Sequence, residues 1–474
     1  MVSRSPAKGG ARAPDEPVNP EPSHASRGRQ VIDRDPARKA ERGRDRDSAA
    51  DDAEPESERG PELPRFGRDG APEPEQYTVE FEEGRIDPDA AKVVKRLTRA
   101  GYEAYLVGGA VRDLLIGRSP KDFDVATSAR PDDVRRLFRN SRIIGRRFRL
   151  VHVLFGGGKV IETATFRRPP EQDSQRENED LLIRNDNVFG DAHQDAYRRD
   201  FTINGLFYDL DHNLVLDWVG GMADIERRAV HTIGTPVVRF QEDPVRILRA
   251  IKFAAQLDLG VTPEVYDAMV QCRGALRKAA RPRLFEEVLR LLRSGASRRA
   301  FWLAWETGVL DVLLPELSTY LADLPEDDNS VWRILQEVDR TTLERKSPLD
   351  DTVLWAMLLL EPMREACAGE KDRVEAAYAF LEPIVDRLNV PRRIADAVRR
   401  IVALMPRVEA GRTGRFARTQ LYPALRDVVE LRAAALGERE PIEGDELSAA
   451  GTSAAGEKPA RKRRRRRKPR IEAG

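Results

Sequence analysis

The sequence predicts an α+β head built on a small mixed sheet, followed by an α-helical neck and body, with a disordered segment at either end. Three observations carry that reading. From Asp87 onward, strand-like alternation and helix-spaced apolar stripes mix without regular β-α-β spacing, which favours an α+β arrangement over a doubly wound parallel sheet. After about Asp243 the patterns become almost wholly helical, as in Phe285-Glu286-Glu287-Val288-Leu289-Arg290-Leu291-Leu292. Met1 to about Glu75 and Glu443 to Gly474 hold too few apolar residues to offset the entropy of ordering them. The expected division is 1–77 disordered, 78–215 head, 216–292 neck, 293–442 body and 443–474 basic tail.

Each element has a local signature. Asp87-Pro88 reads as an N-cap and first helical position, Ala90, Val93, Val94 and Leu97 form one stripe, and Gly101 stops the helix. A strand is predicted over Tyr102 to Val107, then the Gly108-Gly109 turn and a short helix through Val111 and Leu115. Lys121 to Val125 alternates like a half-buried strand. Pro131-Asp132-Asp133 opens another helix, and Val151 to Phe155, Gly156-Gly157-Gly158 and Val160 to Phe166 read as a hairpin.

Composition narrows the class. The 474 residues contain 81 Lys+Arg and 80 Asp+Glu, a net charge of +1. Nine of the ten residues from Arg461 to Arg470 are basic, so the remainder holds 72 basic against 80 acidic residues, a mildly acidic chain with a cationic handle. No apolar run of about 18 residues exists, so no membrane partner is expected. With only Cys272 and Cys367, a disulfide framework is excluded and a cytoplasmic location is expected. Met1 to Pro14 lacks the apolar segment of a secretory signal.

The chemistry concentrates in Gly108-Gly109-Ala110-Val111-Arg112-Asp113 and Asp122-Phe123-Asp124. Aspartates at i and i+2 of a strand share a face, and paired carboxylates there suit Mg²⁺, which takes oxygen ligands and keeps part of its shell for substrate phosphates. The double glycine lets backbone N–H groups approach phosphate oxygens, and Arg112 adds a charge-assisted contact. Either motif alone is more simply a turn or a solvated strand; together within about fifteen residues they point to a site. Asp243, Arg246, Arg249 and Lys252 recur every third residue, which predicts a polar ridge along one helix, with Val245, Leu248, Ile251 and Ala255 as its inner stripe. By pattern alone that is an ordinary amphipathic helix.

Leu106 to Gly117 and Asp122-Phe123-Asp124-Val125-Ala126-Thr127 together resemble the class II polymerase-β-like nucleotidyltransferases, the group containing tRNA CCA-adding enzymes and bacterial poly(A) polymerases. The resemblance continues through Ile161 to Arg167, Arg198 to Gly205, Asp217-Trp218-Val219-Gly220-Gly221 and Glu242 to Ala250. It implies Asp122 and Asp124 as holders of two Mg²⁺ ions, with Gly109 and Arg112 at the triphosphate of ATP, Gly108 also binding the nucleotide, and Arg199 meeting phosphate or ribose. Either Asp200 or Glu162 would be a third carboxylate. Asp243 and Arg246 would read the base, with Arg249 beside them; Lys252 stands where the family commonly has arginine, without its planar fork.

Ile143 to Val153 and Leu181 to Gly190 are similar to stretches of the bacterial poly(A) polymerase branch. All five histidines, His24, His152, His193, His212 and His231, precede residue 232, so the helical half has no His-Asp phosphohydrolase site of the kind some CCA-adding enzymes carry. His152 reads as a structural histidine. The implied function is template-independent addition of AMP from ATP to RNA 3′ ends, linked to RNA decay and its proteins, by a monomer. A CCA-adding enzyme and a non-catalytic RNA-binding scaffold are the alternatives. Arg461, Lys462, Arg463, Arg464, Arg465, Arg466, Arg467, Lys468 and Arg470 are expected to grip RNA phosphates without sequence choice.

Overall fold

The computed structural model describes residues 72–145, 149–169, 188–325, 328 and 330–437. Residues 170–187, which include most of the predicted Leu181–Gly190 stretch, and the basic run 461–470 lie outside the described residues.

Among the described residues one mixed sheet contains eight strands: β1 Glu75–Thr78, β2 Ala104–Val107, β3 Asp124–Thr127, β4 Ser141–Ile144, β5 Leu150–Leu154, β6 Val160–Thr165, β7 Phe207–Asp209 and β8 Leu214–Asp217. Their order is β1-β8-β7-β2-β3-β6-β5-β4. Only β3 and β6 pair parallel; the other neighbours are antiparallel. One face packs Leu106, Val125, Val151, Val153 and Ile161 beneath helices, and the other carries Val107, Ala126, Phe166 and Phe207.

The helices of the head follow their local signals. In α1 (Pro88–Arg99) the Asp87 side chain accepts from the N–H groups of Asp89 and Ala90, a cap contributing about 1 kcal/mol. Ala90, Val93, Val94 and Leu97 are fully buried. After Gly108 comes α2 (Gly109–Leu115), and α3 (Pro131–Leu137) follows β3. The later helices are α4 (Ala192–Tyr197), α5 (Gly221–Glu226), α6 (Pro236–Glu242), α7 (Val245–Gln256), α8 (Pro263–Cys272) and α9 (Arg281–Leu292). Further helices run from Ser297–Glu306 to Tyr422–Leu436, packed on the largely buried Asp351–Ala366 helix and its fully buried Trp355.

Four boundaries differ from the sequence expectation. Strand β1 lies within the segment read as disordered, because Glu75 to Thr78 pair with Asp217 to Leu214 and borrow the sheet's core. Strand β8 continues past residue 215 to Asp217. Strand β2 starts at Ala104, since the Tyr102 N–H turns back to the Leu97 carbonyl to close α1. Strand β3 starts only at Asp124, opposite Val107, because Gly108 leaves the sheet at φ +70° and offers no partner for Phe123, so pairing stops before Asp122. Asp122 therefore lies in the lead-in, and the expected pair on one strand becomes one strand residue and one loop residue.

The predicted ridge is also corrected. Asp243 sits in extended backbone between α6 and α7, so the ridge is Arg246, Arg249 and Lys252 alone. Nor does α7 present a solvated face. Val245, Ile247, Leu248, Ala250, Ile251, Phe253, Ala254 and Ala255 are all buried, and Arg246 is only 7% exposed. The helix is a strut between head and body.

Candidate active site

Register builds the site. Across the sheet, Arg142 of β4 stands opposite His152 of β5, His152 opposite Glu162 of β6, Glu162 opposite Asp124 of β3, and Asp124 opposite Val107 of β2. Residues directly opposite share a face, so a polar row crosses the sheet and meets the Gly108 turn at its end. His152 Nε2 lies 3.4 Å from Glu162 Oε1. His152 is thus part of this row.

The row concentrates negative charge at Asp124. Burial, then Glu162, push its carboxyl up to about 6; Asp122 adds to the rise and Arg199 opposes it. A carboxylate crowded in this way is poised for a cation.

Beside it is a network of four side chains. Arg112 Nη1 donates to Asn204 Oδ1 at 2.6 Å, and Asn204 Nδ2 donates to Asp200 Oδ1 at 3.0 Å. Arg249 Nε donates to Asp200 Oδ2 at 2.6 Å. The Phe201 N–H also donates to Asp200 Oδ1. Burial alone would raise the Asp200 pKa, but Arg249 and Asn204 outweigh it and hold the carboxyl at about 2. Both Asp200 oxygens are engaged inside this network, whereas Glu162 faces Asp124.

Arg199 closes the site from the other side. Its guanidinium donates to Asp195 Oδ2 and to the Asn204 carbonyl, and lies 5.1 Å from the centre of the Phe207 ring. A Cβ on Gly108 would stand 2.9 Å from Arg199 Nη1, and its φ is +70°. Gly108 is therefore demanded twice, by its backbone and by the guanidinium against it. Asp195 is 3% exposed; burial opposes its charge, but Arg199 and Arg198 keep its carboxyl below the ordinary range.

The neck residues form a second group. Both Asp243 oxygens accept from Arg283 of α9, at 2.9 and 2.7 Å. Arg246 Nη1 donates to Glu242 Oε2 and to the Arg239 carbonyl. Arg239 and Glu242 also line a cleft of about 600 Å³ with Tyr197, Trp218, His231 and Thr235.

Sequence reasoning missed Asn204, Asp195 and Arg283 as site residues. Asp195 had a signal, since it precedes Arg198 and Arg199 by three and four residues on a helix. Arg283 had none, being forty residues from its partner. Among the described residues no group of three or more His, Cys, Asp and Glu side chains is already gathered as a metal site. No helix among them is long and apolar enough to cross a membrane.

The chain is similar to known proteins in sequence and fold. Residues 104–231 match the family described as "Poly A polymerase head domain", and residues 258–321 the one described as "Probable RNA and SrmB- binding site of polymerase A". The chain is 38% identical over 382 residues to Poly(A) polymerase I of Salmonella typhimurium, covering 76% of this chain and 80% of that one. It is 33% identical over 270 residues to a CCA-adding enzyme of Levilactobacillus brevis, covering 57% and 62%. The crystal structure of the Bacillus stearothermophilus CCA-adding enzyme in complex with CTP superposes with a TM-score of 0.55 at 27% identity, covering 75% of this chain and 80% of that one. The match of residues 104–231 to the head-domain family, and 38% identity over 76% of the chain to Poly(A) polymerase I, make this protein a member of the poly(A) polymerase family of nucleotidyltransferases.

Proposed function

We propose that this chain extends RNA 3′ ends with AMP from ATP, without a template, in a Mg²⁺-dependent reaction. The observation that carries the reading is the direct register of Asp124 with Glu162 beside the Gly108 turn and its arginines. Asp122, Asp124 and Glu162 are the oxygen donors that would hold Mg²⁺. Their hard oxygens and the raised pKa of Asp124 suit a divalent cation. Bound there, the metal would activate the primer hydroxyl and offset charge on the transferring phosphoryl group. We assign Glu162, not Asp200, as the third carboxylate, because Asp200 already neutralises Arg249.

The remaining residues bind and orient. Gly108 and Gly109, lacking a Cβ, let the Arg199 and Arg112 guanidiniums lie against the turn, where they supply charge to phosphate oxygens. Asp200 and Asn204 hold Arg249 and Arg112 at fixed positions, so little reorganisation is needed as charge develops. Arg283 fixes Asp243 and Glu242 fixes Arg246, which gives the base-reading pair one geometry suited to one base. Residues 258–321 and the basic tail would hold the RNA, in keeping with the description of the matched family. A place in RNA decay, in the cytoplasm and alongside decay proteins, follows from the same reading.

The test is to incubate the protein with Mg²⁺, a generic RNA and each nucleoside triphosphate separately. Long extension with ATP alone is the expected result. Addition of two C and one A only to tRNA-like ends would replace this reading with that of a CCA-adding enzyme, in line with the relatives of that name. No extension would leave a scaffold.

A further inference from the structure

Phe253 of α7 is only 6% exposed, and three cations surround its ring. The guanidinium carbon of Arg112 lies 5.0 Å from the ring centre, that of Arg249 5.4 Å, and the Lys252 ammonium nitrogen 4.7 Å. Arg112 arrives from the head, Arg249 and Lys252 from the neck, so the ring is where the two parts share positive charge. Phe201 packs edge-on at 5.6 Å and holds the ring in place.

The three cations are not equally compensated. Arg112 pairs with Asp113 and Arg249 with Asp200. Lys252 makes no hydrogen bond or ion pair among the described residues. Burial, and then Arg249, drive its ammonium down to about 8, against the weaker pull of Glu287. Like charges gathered with one left unpaired repel each other. The negative face of the ring offsets part of that repulsion, and an anion with several charges would remove the rest.

We propose that Phe253 is a positioning residue for a polyphosphate clamp: its ring holds Arg112, Arg249 and Lys252 together, so that the three cations meet the phosphates of the incoming nucleotide as one group. The clamp rests on the reading of this site as a nucleotide site. It adds one residue to that site, Phe253, whose duty is to gather the cations that meet the polyphosphate. A chain of two or three phosphates can span cations from head and neck, whereas the single phosphate of AMP cannot.

The test measures binding of ATP, inorganic pyrophosphate and AMP to the full chain by calorimetry in magnesium buffer, with KM and kcat for ATP in parallel. Phe253→Leu keeps an apolar side chain but removes the π face; Phe253→Tyr keeps the face; Lys252→Met removes the third charge. The clamp predicts that Phe253→Leu weakens ATP and pyrophosphate about tenfold, the size of one desolvated cation–π contact, and leaves AMP unchanged. KM for ATP rises with little change in kcat, Phe253→Tyr restores it, and Lys252→Met combined with Phe253→Leu costs less than the two separate effects together.

Equal weakening of AMP and pyrophosphate by Phe253→Leu would reduce Phe253 to a packing residue and overturn the clamp. So would unchanged pyrophosphate binding in Lys252→Met, a variant at a partly exposed position that leaves the ring itself in place. If the unaltered chain bound neither ATP nor pyrophosphate, the nucleotide-site reading itself would fall. If it bound both and Phe253→Leu matched it, only the clamp would.

Discussion

Asp124 faces Glu162 across β3 and β6 with its carboxyl pushed up to about 6, and everything else in the site is arranged around that concentration of charge. Asp124→Ala is expected to lower primer extension at least about a thousandfold while RNA binding in a filter assay stays near the parent value, since several kcal/mol of charge stabilisation depend on this oxygen pair. The i, i+2 aspartates were legible from sequence, because a short motif carries its spacing with it. Glu162 was legible only as one of two candidates, because its place opposite Asp124 depends on the parallel pairing of strands almost forty residues apart. Asn204 was harder still: it is a common polar residue until its side chain is seen to bridge Arg112 and Asp200. Likewise, Arg283→Ala frees both Asp243 oxygens, and the preference for ATP over CTP in single-nucleotide addition should fall about tenfold, with total incorporation less affected.

At the scale of elements, the motif Asp217-Trp218-Val219-Gly220-Gly221 explains how the head is joined to the neck. Asp217 accepts from the N–H groups of Val219, Gly221 and Met222, turning the end of β8 into the start of α5. A Cβ on Gly221 would stand 2.3 Å from the Thr202 carbonyl oxygen. Gly221→Ala should therefore cost about 1–3 kcal/mol in urea unfolding, as overpacking against backbone does. The Asp200–Arg249 pair links the segment before β7 to α7. Its contribution has a definite pH sign. The folded carboxyl titrates at about 2 against an ordinary value of 3.8, so the pair's stabilisation is complete above about pH 4 and is withdrawn as pH falls toward 2. The stability gap between the parent and Asp200→Asn should shrink over that window; a gap independent of pH would show that the charge on Asp200 adds nothing. Helix α7 and its ridge of Arg246, Arg249 and Lys252 were legible, but Asp243 lies outside the helix and Arg246 is buried. Periodicity reports which residues are polar, and only packing reports that those polar residues are enclosed.

Across the whole molecule, one apolar core runs from Phe201 and Val230 through α7 and α9 into the body, where Phe285 meets Trp355 edge-on at 5.3 Å. Arg293 on the residue after α9 pairs with Asp351, adding a polar tie between neck and body. Asp243 and Arg246, proposed to read the base, thus hang on a strut held at both ends, which favours a fixed pocket over an adaptable one. Charge is partitioned on the same scale, with nine basic residues between Arg461 and Arg470 and a net −8 over the remainder. Deleting residues 461–474 should weaken RNA binding and flatten its dependence on salt, because each phosphate contact with single-stranded RNA contributes about 0.7 to the slope of log affinity against log salt. An unchanged slope would assign the RNA grip to the helical body alone.

The order of motifs along the chain was enough to determine the α+β head, the helical remainder and the family, and to name most of the charged residues proposed for the site. Those features are written in local spacing: a cap, a double glycine, two aspartates, an alternation of apolar residues. The tertiary structure decided which carboxylate stands opposite Asp124, which arginine holds Asp243, and that Arg112, Arg249 and Lys252 share one phenyl ring. Each of those is a contact between residues distant in sequence or borne by different elements, set by strand register and helix packing, and no local pattern encodes it.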